Sequence, residues 1–313
     1  IQQGMGLVNI PPLLVEPNGN ATGPNNDIES FNSDQVHVDE AWYETTFDNE
    51  KWALTLGQLD PTAYFDTNNY ANNERFQFIA NQFGNNPTLD FGGTGNFYGP
   101  GVRLAYTPTN TWVFSFSSID SDGDYSGMFT RPFVIGEVDY ARGDGTGNYR
   151  FYAWQNPQSH YLNSGGAYLF ATAVGDPSVD KTDLLDDQNR GFGISIDQEL
   201  TKDLGVWMRF GEQDESVAQF YRHISTGLQL TGDFIGRSED VTGIGIGITQ
   251  LSDDYKATNP DLENQEQFFE AYYNFTLTKA LHLSPDIQFY NNPGGDGTKN
   301  SLTVYGVRAG VLF

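Results

Sequence analysis

Four histidines are the residues of this 313-residue chain with the most obvious capacity for chemistry. They lie at His37, His160, His223 and His282, with neither metal-ligand spacing nor a neighbouring nucleophile motif such as G-x-S-x-G. Cysteine is absent, which removes thiolate ligands and disulfides. The sequence therefore predicts no catalytic triad, no metal site and no cofactor.

Two pairs of carboxylates have a spacing that acid/base catalysis could use. Glu40 and Glu44 would share one face of an extended strand, and so would Glu137 and Asp139. Two facing carboxylates are what a glycoside hydrolase requires, so a secreted β-rich glycoside hydrolase is one hypothesis. The polar wall of a water-filled barrel contains such pairs as well, and this is the interpretation we favour.

Two further motifs imitate ligand-binding sequences. DSDGDYSG, residues 120–127, has the acids of a calcium loop, but Tyr125 stands where the EF-hand needs Gly and Arg131 where it needs Glu. GIGIGI, residues 243–248, lacks the spacing of a dinucleotide fingerprint, and no helical pattern follows it. We predict an outer loop for the first motif and a thin strand wall for the second.

The elements that would position such side chains are clearest at the end of the chain. In SLTVYGVRAGVLF, residues 301–313, Tyr305 and Val307 share one parity with other apolar residues, while Arg308 has the opposite parity. This alternation predicts a strand with one apolar side. The final residue, Phe313, resembles the signal by which outer-membrane barrels are recognised for assembly.

The same period recurs along the chain at hairpin spacing. Thirteen segments qualify as candidate strands: 35–47, 51–59, 101–107, 111–118, 132–141, 147–155, 191–197, 205–211, 223–233, 240–250, 268–277, 280–290 and 301–313. Bacterial single-chain barrels have even strand numbers, so we expect a closed antiparallel transmembrane β-barrel of 16 strands, with 14 as the alternative. The additional strands would lie in residues 1–32 or before Ile1.

Composition agrees with a barrel. Aromatic residues make up 14% of the chain and there are 35 Gly, while the mean hydropathy is −0.48 and no apolar stretch of about 18 residues occurs. A membrane strand needs only about ten residues, half of them facing a wet interior, so low hydropathy does not exclude it. With 16 Lys+Arg against 41 Asp+Glu, nucleic acid is excluded as a partner.

The predicted connections alternate between short and long, as a membrane barrel requires. Short turns around Asn110, Asp203 and Lys279 would face the periplasm. Within a single domain spanning residues 1–313, the long segment 60–100 has some helical periodicity and lies between well-marked strands. We predict that it folds inward as a constriction loop.

Several blocks together resemble the carbohydrate-selective porin family, often called OprB-like, over most of residues 35–313. The blocks are LTLGQLDPTAYFDTNNYANNERFQF (54–78), GFGISIDQELTKDLGVWMRFG (191–211), STGLQLTGDFIGRSEDVTGIGIG (225–247) and FEAYYNFTLTKALHLSPDIQFYNNPGG (269–295). The resemblance implies passive diffusion of sugars and other small solutes, with lumen arginines and acids binding hydroxyls and aromatic rings packing on sugar faces. Family members are generally longer at the amino-terminal side.

Strand parity gives the candidate pore-lining residues. A charge facing lipid costs roughly 2–4 kcal/mol for Arg at the bilayer midplane, so charged residues on otherwise apolar strands are expected to face the lumen. The predicted set comprises Asn68, Asn69 and Arg75 in the loop, with Trp42, Arg103, Trp207, Arg209, Arg237, Glu270, Asp286, Gln288 and Arg308 on strands. Wall ion pairs that only stabilise the barrel would explain the charged members equally well.

The favoured function is an outer-membrane porin of a Gram-negative bacterium, not an enzyme, for small hydrophilic solutes and in particular carbohydrates. A cation-preferring general porin is the alternative, because an excess of 25 negative charges concentrates counter-ions. The expected partners are these solutes together with outer-membrane lipid and lipopolysaccharide. We expect a monomer or a homotrimer.

Overall fold

The structure is a computed structural model that describes residues 40–91, 98–120, 129–163 and 185–311. Thirteen strands occur in these ranges, and each of the thirteen candidate segments overlaps one of them. They are β1 Ala41–Phe47, β2 Trp52–Leu59, β3 Gly99–Thr109, β4 Trp112–Ile119, β5 Phe133–Ala141, β6 Gly147–Tyr161, β7 Leu185–Thr201, β8 Leu204–Gln213, β9 Phe220–Gly232, β10 Arg237–Leu251, β11 Gln265–Thr278, β12 Leu281–Asn291 and β13 Leu302–Val311.

The strands form one antiparallel meander in which each strand pairs with its neighbours in sequence, from β1 to β13. Within the described ranges, β1 pairs with β2 alone and β13 with β12 alone. The all-β antiparallel prediction is confirmed. A closed barrel of 14 or 16 strands goes beyond the sheet described.

Connections at the two ends of the sheet differ in length, as predicted. Those at one end are short: 48–51, 110–111, 142–146, 202–203, 233–236 and 279–280. Those at the other end are longer: 60–98, 120–132, 162–184, 214–219, 252–264 and 292–301. Left-handed backbone closes several short turns, for example at Asn49, φ 54°, and Gly236, φ 74°. Asn and Gly adopt this conformation at low steric cost.

Helices are few and short. The α-helices in the described part are α1, Asn81–Gly84, and α2, Asp253–Thr258. Turns of 3₁₀ helix cover Pro61–Ala63, Asp233–Ile235 and Pro293–Gly295. Among the described residues, no helix has both the length and the apolar character needed to cross a membrane.

The two sides of the sheet have opposite character. One side, which we call the loop face, carries Trp207, Arg209 and Glu270 and is covered by the segment 60–91. The other, which we call the open face, exposes large apolar side chains such as Ile246 and Tyr305, 54% and 75% exposed. Alternate residues of each strand point to opposite faces, so the predicted parities are confirmed for β8, β11, β12 and β13.

Aromatic side chains of the open face form a row near the short turns of β1–β6. Their rings follow one another from strand to strand, with centroid distances of 6.1, 4.3, 6.5, 6.2, 4.9 and 6.1 Å. The members are Phe47, Trp52, Tyr106, Phe114, Trp112, Tyr140 and Tyr149. Such a band is typical of the interfacial girdle of a membrane barrel.

Some predicted features lie outside the described residues. These are residues 1–32, most of the acidic motif 120–127, and Phe313. The connection between the candidate strands 147–155 and 191–197 is shorter than expected, because β6 continues to Tyr161 and β7 begins at Leu185. Polar residues in those strand ends concealed the continuing sheet.

Candidate functional site

The segment 60–91 enters from β2 and crosses the loop face of the sheet. Its first turn is fixed by Asp60, whose carboxylate accepts hydrogen bonds from the Thr62 backbone N–H at 2.9 Å and hydroxyl at 2.7 Å. Burial raises the pKa of the Asp60 carboxyl, and these hydrogen bonds oppose the shift. The segment that was predicted to fold inward thus lies against one face of the sheet.

Asp66 is the most highly connected residue of the segment. Its carboxylate forms an ion pair with the Arg209 guanidinium, Oδ2 to Nε 3.0 Å, and neither side chain is exposed. The same carboxylate accepts hydrogen bonds from the Asn86 backbone N–H at 2.7 Å and the Tyr152 hydroxyl at 3.1 Å. Its own backbone N–H donates to Glu137 of β5 at 2.8 Å. One residue thus joins the segment to itself and to three strands.

Burial raises the pKa of the Asp66 carboxyl, and the charge of Arg209 is the main influence that opposes this shift. A buried carboxylate without such a partner would be costly. The ion pair and its hydrogen bonds therefore account for how a charged residue of the segment can lie fully buried.

A second group of polar contacts holds the middle of the segment to β11 and β13. The Glu270 carboxylate accepts hydrogen bonds from the backbone N–H groups of Ile79 at 2.6 Å and Ala80 at 2.9 Å. Arg308 donates to the carbonyl of Gln77 at 2.9 Å and also to that of Glu74. Backbone groups that have left the sheet thereby recover hydrogen-bond partners.

Aromatic packing adds to these polar anchors. Phe78 and Phe83 of the segment lie against Trp207 of β8, both with ring centroids 5.4 Å away. Phe78 also meets Tyr272 edge-on at 5.0 Å, and Phe83 meets Phe268 at 5.1 Å. Burying a Phe side chain contributes about 1.5–3 kcal/mol, so these contacts stabilise the packed position of the segment substantially.

Glycines in the strand wall make room for the segment. A Cβ atom built on Gly205 would lie 2.1 Å from the Tyr70 ring, and one on Gly211 would lie 2.2 Å from the Thr88 hydroxyl. In the GIGIGI motif, a Cβ on Gly245 would lie 3.0 Å from the Phe83 ring. The thin wall predicted for this motif thus accommodates the segment.

Charges of opposite sign alternate on the parts of the loop face nearest the segment. Arg150 pairs with Asp197 at 2.6 Å and approaches Asp139 at 4.0 Å. Arg103 approaches Glu44 at 3.8 Å, and its guanidinium lies 4.6 Å from the centroid of the Tyr64 ring, which belongs to the segment. Both charge signs are therefore present on this wall.

The predicted pore-lining residues divide into covered and accessible groups. The segment or neighbouring wall residues cover Asn68, Trp207, Arg209, Glu270, Asp286 and Gln288, all of which are buried. Asn68 donates hydrogen bonds to the Ser195 hydroxyl at 3.2 Å and the Ile196 carbonyl at 3.0 Å, so in this structure it anchors the segment. In contrast, Asn69, Arg75 and Trp42 are exposed, and Arg103 and Arg308 are partly exposed.

Arg237, another member of the predicted set, lies beside residues of the open face. Its guanidinium lies 5.8 Å from the centroid of the Phe275 ring and pairs with Asp240, whose carboxylate accepts a hydrogen bond from the Tyr273 hydroxyl at 2.8 Å. Tyr273 and Phe275 belong to the open face. The register shift between Arg237 and Val241 breaks the parity on which the prediction depended, so this residue does not join the loop-face set.

Sequence reasoning missed Asp66, Tyr64 and Tyr152 as members of the site. Tyr152 was accessible to the parity argument, since it alternates with Phe151 and lies on the same side of β6 as Arg150. Asp66 and Tyr64 lie outside the strands, where no period indicates direction. Among the described residues, no group of three or more His, Asp or Glu side chains could hold a metal ion.

Comparison with known proteins identifies the family. The profile of the carbohydrate-selective porin, OprB family, matches residues 15–313. The chain belongs to this family. The porin is 21% identical over 291 residues to Porin AaxA of Chlamydia felis, covering 93% of this chain and 61% of that protein. It is 23% identical over 289 residues to Porin AaxA of Chlamydia trachomatis serovar D, covering 91% and 58%.

Solved structures show the same fold. The high-pH structure of Pseudomonas putida OprB matches the porin with a TM-score of 0.70 at 16% identity, over 86% of this chain and 71% of that one. The outer membrane channel DcaP of Acinetobacter baumannii matches with a TM-score of 0.52 at 12% identity, over 86% and 77%. The porin spans about three fifths of the length of the curated relatives. Family and relatives are porins, not enzymes, so the hydrolase hypothesis is wrong.

Proposed function

We propose that the sheet closes into one transmembrane β-barrel of 16 strands, or 14, in the outer membrane of a Gram-negative bacterium. The open face would contact lipid and lipopolysaccharide, and the loop face would line a water-filled lumen. The observation that carries this proposal is the contrast between the faces: exposed apolar side chains on one, polar and charged side chains with a folded segment on the other. A barrel wetted only on the inside requires this contrast.

The segment 60–91 acts in this proposal as the constriction of the pore. The buried anchors hold it to the wall, while Asn69 and Arg75 remain exposed. Solute contact is assigned to these two loop residues together with Trp42, Arg103 and Arg308 on the strands. The covered members of the predicted set do not contact solute in this proposal; they hold the segment against the sheet.

The solute proposed is a small hydrophilic molecule, in particular a carbohydrate, that diffuses passively down its gradient. Amide, guanidinium and carboxylate groups can exchange hydrogen bonds with sugar hydroxyls, and an exposed indole such as Trp42 offers a flat apolar surface. The alternation of Arg and acid near the segment suits a neutral, many-hydroxyl solute better than a simple ion. Family membership supports the same choice.

A cation-preferring general porin is the second candidate. The 41 acidic against 16 basic residues favour it, because a pore lined by one sign of charge concentrates counter-ions. The positive charges of Arg103, Arg150 and Arg308 on the loop face weigh against it. A monomer and a homotrimer both remain compatible with the proposal.

Planar-bilayer recordings of the purified full-length porin test the proposal. We expect discrete channels whose current falls when a neutral sugar is added. In a gradient of concentrated salt, about 1 M, where charges in the connections are screened, we expect a reversal potential near zero. A sugar-free buffer of matched viscosity serves as the control for nonspecific effects of sugar. Strong cation selectivity with no sugar block would favour the second candidate, and a protein that forms no channels would reject both.

A further inference from the structure

The segment 60–91 runs across the wall in two limbs, and Arg209 of β8 contacts both. The outgoing limb covers residues 60–77 and the returning limb residues 78–91. The Arg209 Nη1 atom donates to the carbonyl of Ala71 in the outgoing limb at 2.6 Å and to that of Phe83 in the returning limb. Its Nη2 atom donates to the Asp66 carbonyl at 2.8 Å and the Asn72 side-chain oxygen at 3.0 Å.

These four hydrogen bonds use all the N–H groups of the two Nη atoms, and the Nε atom faces the Asp66 carboxylate at 3.0 Å. The planar guanidinium fork matches this arrangement because its donors point in fixed, divergent directions. A lysine ammonium has three donors on one atom and cannot reach acceptors on both sides in the same way. The chemistry of the site therefore requires Arg and not positive charge alone.

Neighbouring wall residues hold one part of the segment each. Glu270 holds Ile79 and Ala80 in the returning limb, and Arg308 holds Glu74 and Gln77 in the outgoing limb. Arg209 instead fixes the separation of the two limbs from each other and from the wall. Its position beneath both limbs, with no exposed surface, excludes direct contact with a passing solute in this conformation.

We propose that Arg209 is a positioning residue that sets the width of the passage by clamping both limbs of the segment 60–91 against β8. The proposal depends on the proposed function as a porin. When the clamp is weakened, the segment loses its fixed position and the passage widens, while the sheet itself persists because its strand pairing does not involve this side chain.

Arg209→Lys is the decisive variant, recorded in planar bilayers beside the wild-type porin. We expect single-channel conductance to rise by about a factor of two and the difference in current block between a monosaccharide and a trisaccharide to shrink. The matched control is Arg222→Lys, because Arg222 lies on the open face and pairs with Glu212 of the neighbouring strand at 2.7 Å. It should leave conductance and block unchanged.

A second variant tests the same clamp in case Arg209→Lys folds poorly. Asp66→Asn retains a residue type that tolerates the left-handed backbone of this position, φ 56°. It removes the charge that faces Arg209, together with one of the two oxygens that accept hydrogen bonds from Asn86 and Tyr152. It should give the same widening to a smaller degree, with retention of the folded band in cold SDS. Equal conductance of the folded Arg209→Lys and wild-type channels would overturn the clamp, as would equal widening in Arg222→Lys. A wild-type protein without channels would overturn the porin function instead.

Discussion

Asp66 illustrates how a single residue can reconcile burial with charge. Its backbone is left-handed, φ 56°, which costs free energy for any residue with a Cβ atom. The cost is offset because this geometry brings the carboxylate to Arg209, Asn86 and Tyr152 at once. Strain at one position thus becomes the means by which the segment acquires a defined place on the wall.

Gly205 provides a test of that placement at the scale of one side chain. Gly205→Ala would put a Cβ atom 2.1 Å from the Tyr70 ring, so this ring of the segment 60–91 could no longer pack against β8. We expect a loss of about 1–3 kcal/mol in the free energy of unfolding, which is the usual cost of overpacking. Urea unfolding in detergent, followed by tryptophan fluorescence, measures it.

Gly306→Ala is the matched control on the same face of the sheet. A Cβ atom there would lie 3.6 Å from the Asp286 Cβ atom, an ordinary contact distance. The control should unfold like the wild type. If both variants lost the same free energy of unfolding, the loss would result from replacing a strand glycine and not from displacing the Tyr70 ring.

For individual residues, the sequence predicted which face of the sheet a side chain points to, but not which residues it contacts. Parity placed Arg209, Glu270 and Gln288 on the polar side of their strands, and the structure confirms that orientation. It could not reveal that the segment 60–91 covers these residues, since the segment has no period from which its path follows. Nor could it reveal the register shift that leaves Arg237 beside Phe275 of the open face.

Each strand is a boundary between two environments, and this property explains why strands were predicted well. Thirteen candidate segments correspond to thirteen strands in the described residues. A one-residue error would invert every side chain, so the sequence must mark each face clearly. The segment 60–91 carries no such constraint. Its helical periodicity yielded only the four-residue helix α1, because contacts with the wall determine its conformation.

The open face offers a test at the scale of the element. Ile246, in the middle of β10, is 54% exposed, and Leu200, beside the turn 202–203, is 57% exposed. If lipid covers this face, Ile246→Arg should cost about 2–4 kcal/mol in the free energy of unfolding and Leu200→Arg about 0–1 kcal/mol, since the penalty depends on depth. Reversible unfolding in lipid vesicles measures both.

Because the two side chains are almost equally exposed, exposure alone predicts similar penalties. A cost that differs with distance from the turn therefore reports on the bilayer. Equal costs for the two Arg variants would argue against lipid on the open face. Depth dependence would in turn support the assignment of the loop face to the lumen.

At the scale of the whole molecule, the main question is where the charge of −25 acts. Near the segment 60–91, acids alternate with Arg103, Arg150 and Arg308, which balance part of the negative charge. Other acids lie in the connections, for example Asp253, Asp254 and Asp261 between β10 and β11. Part of the excess therefore lies beyond the ends of the strands, where it would act on ions at the ends of the proposed pore.

Salt concentration separates these two locations of charge. The Debye length is about 10 Å at 0.1 M salt and about 3 Å at 1 M, so charges in the connections influence a passing ion only at low salt. We expect a potassium-over-chloride preference at 0.1 M that largely disappears at 1 M, measured as reversal potentials in KCl gradients of fixed ratio. Charges at the constriction itself lie within a few ångströms of the ion and would act at both concentrations. A cation preference that persisted unchanged at 1 M would therefore place the uncompensated charge beside the segment 60–91, and would favour an ion channel over a passage for sugars.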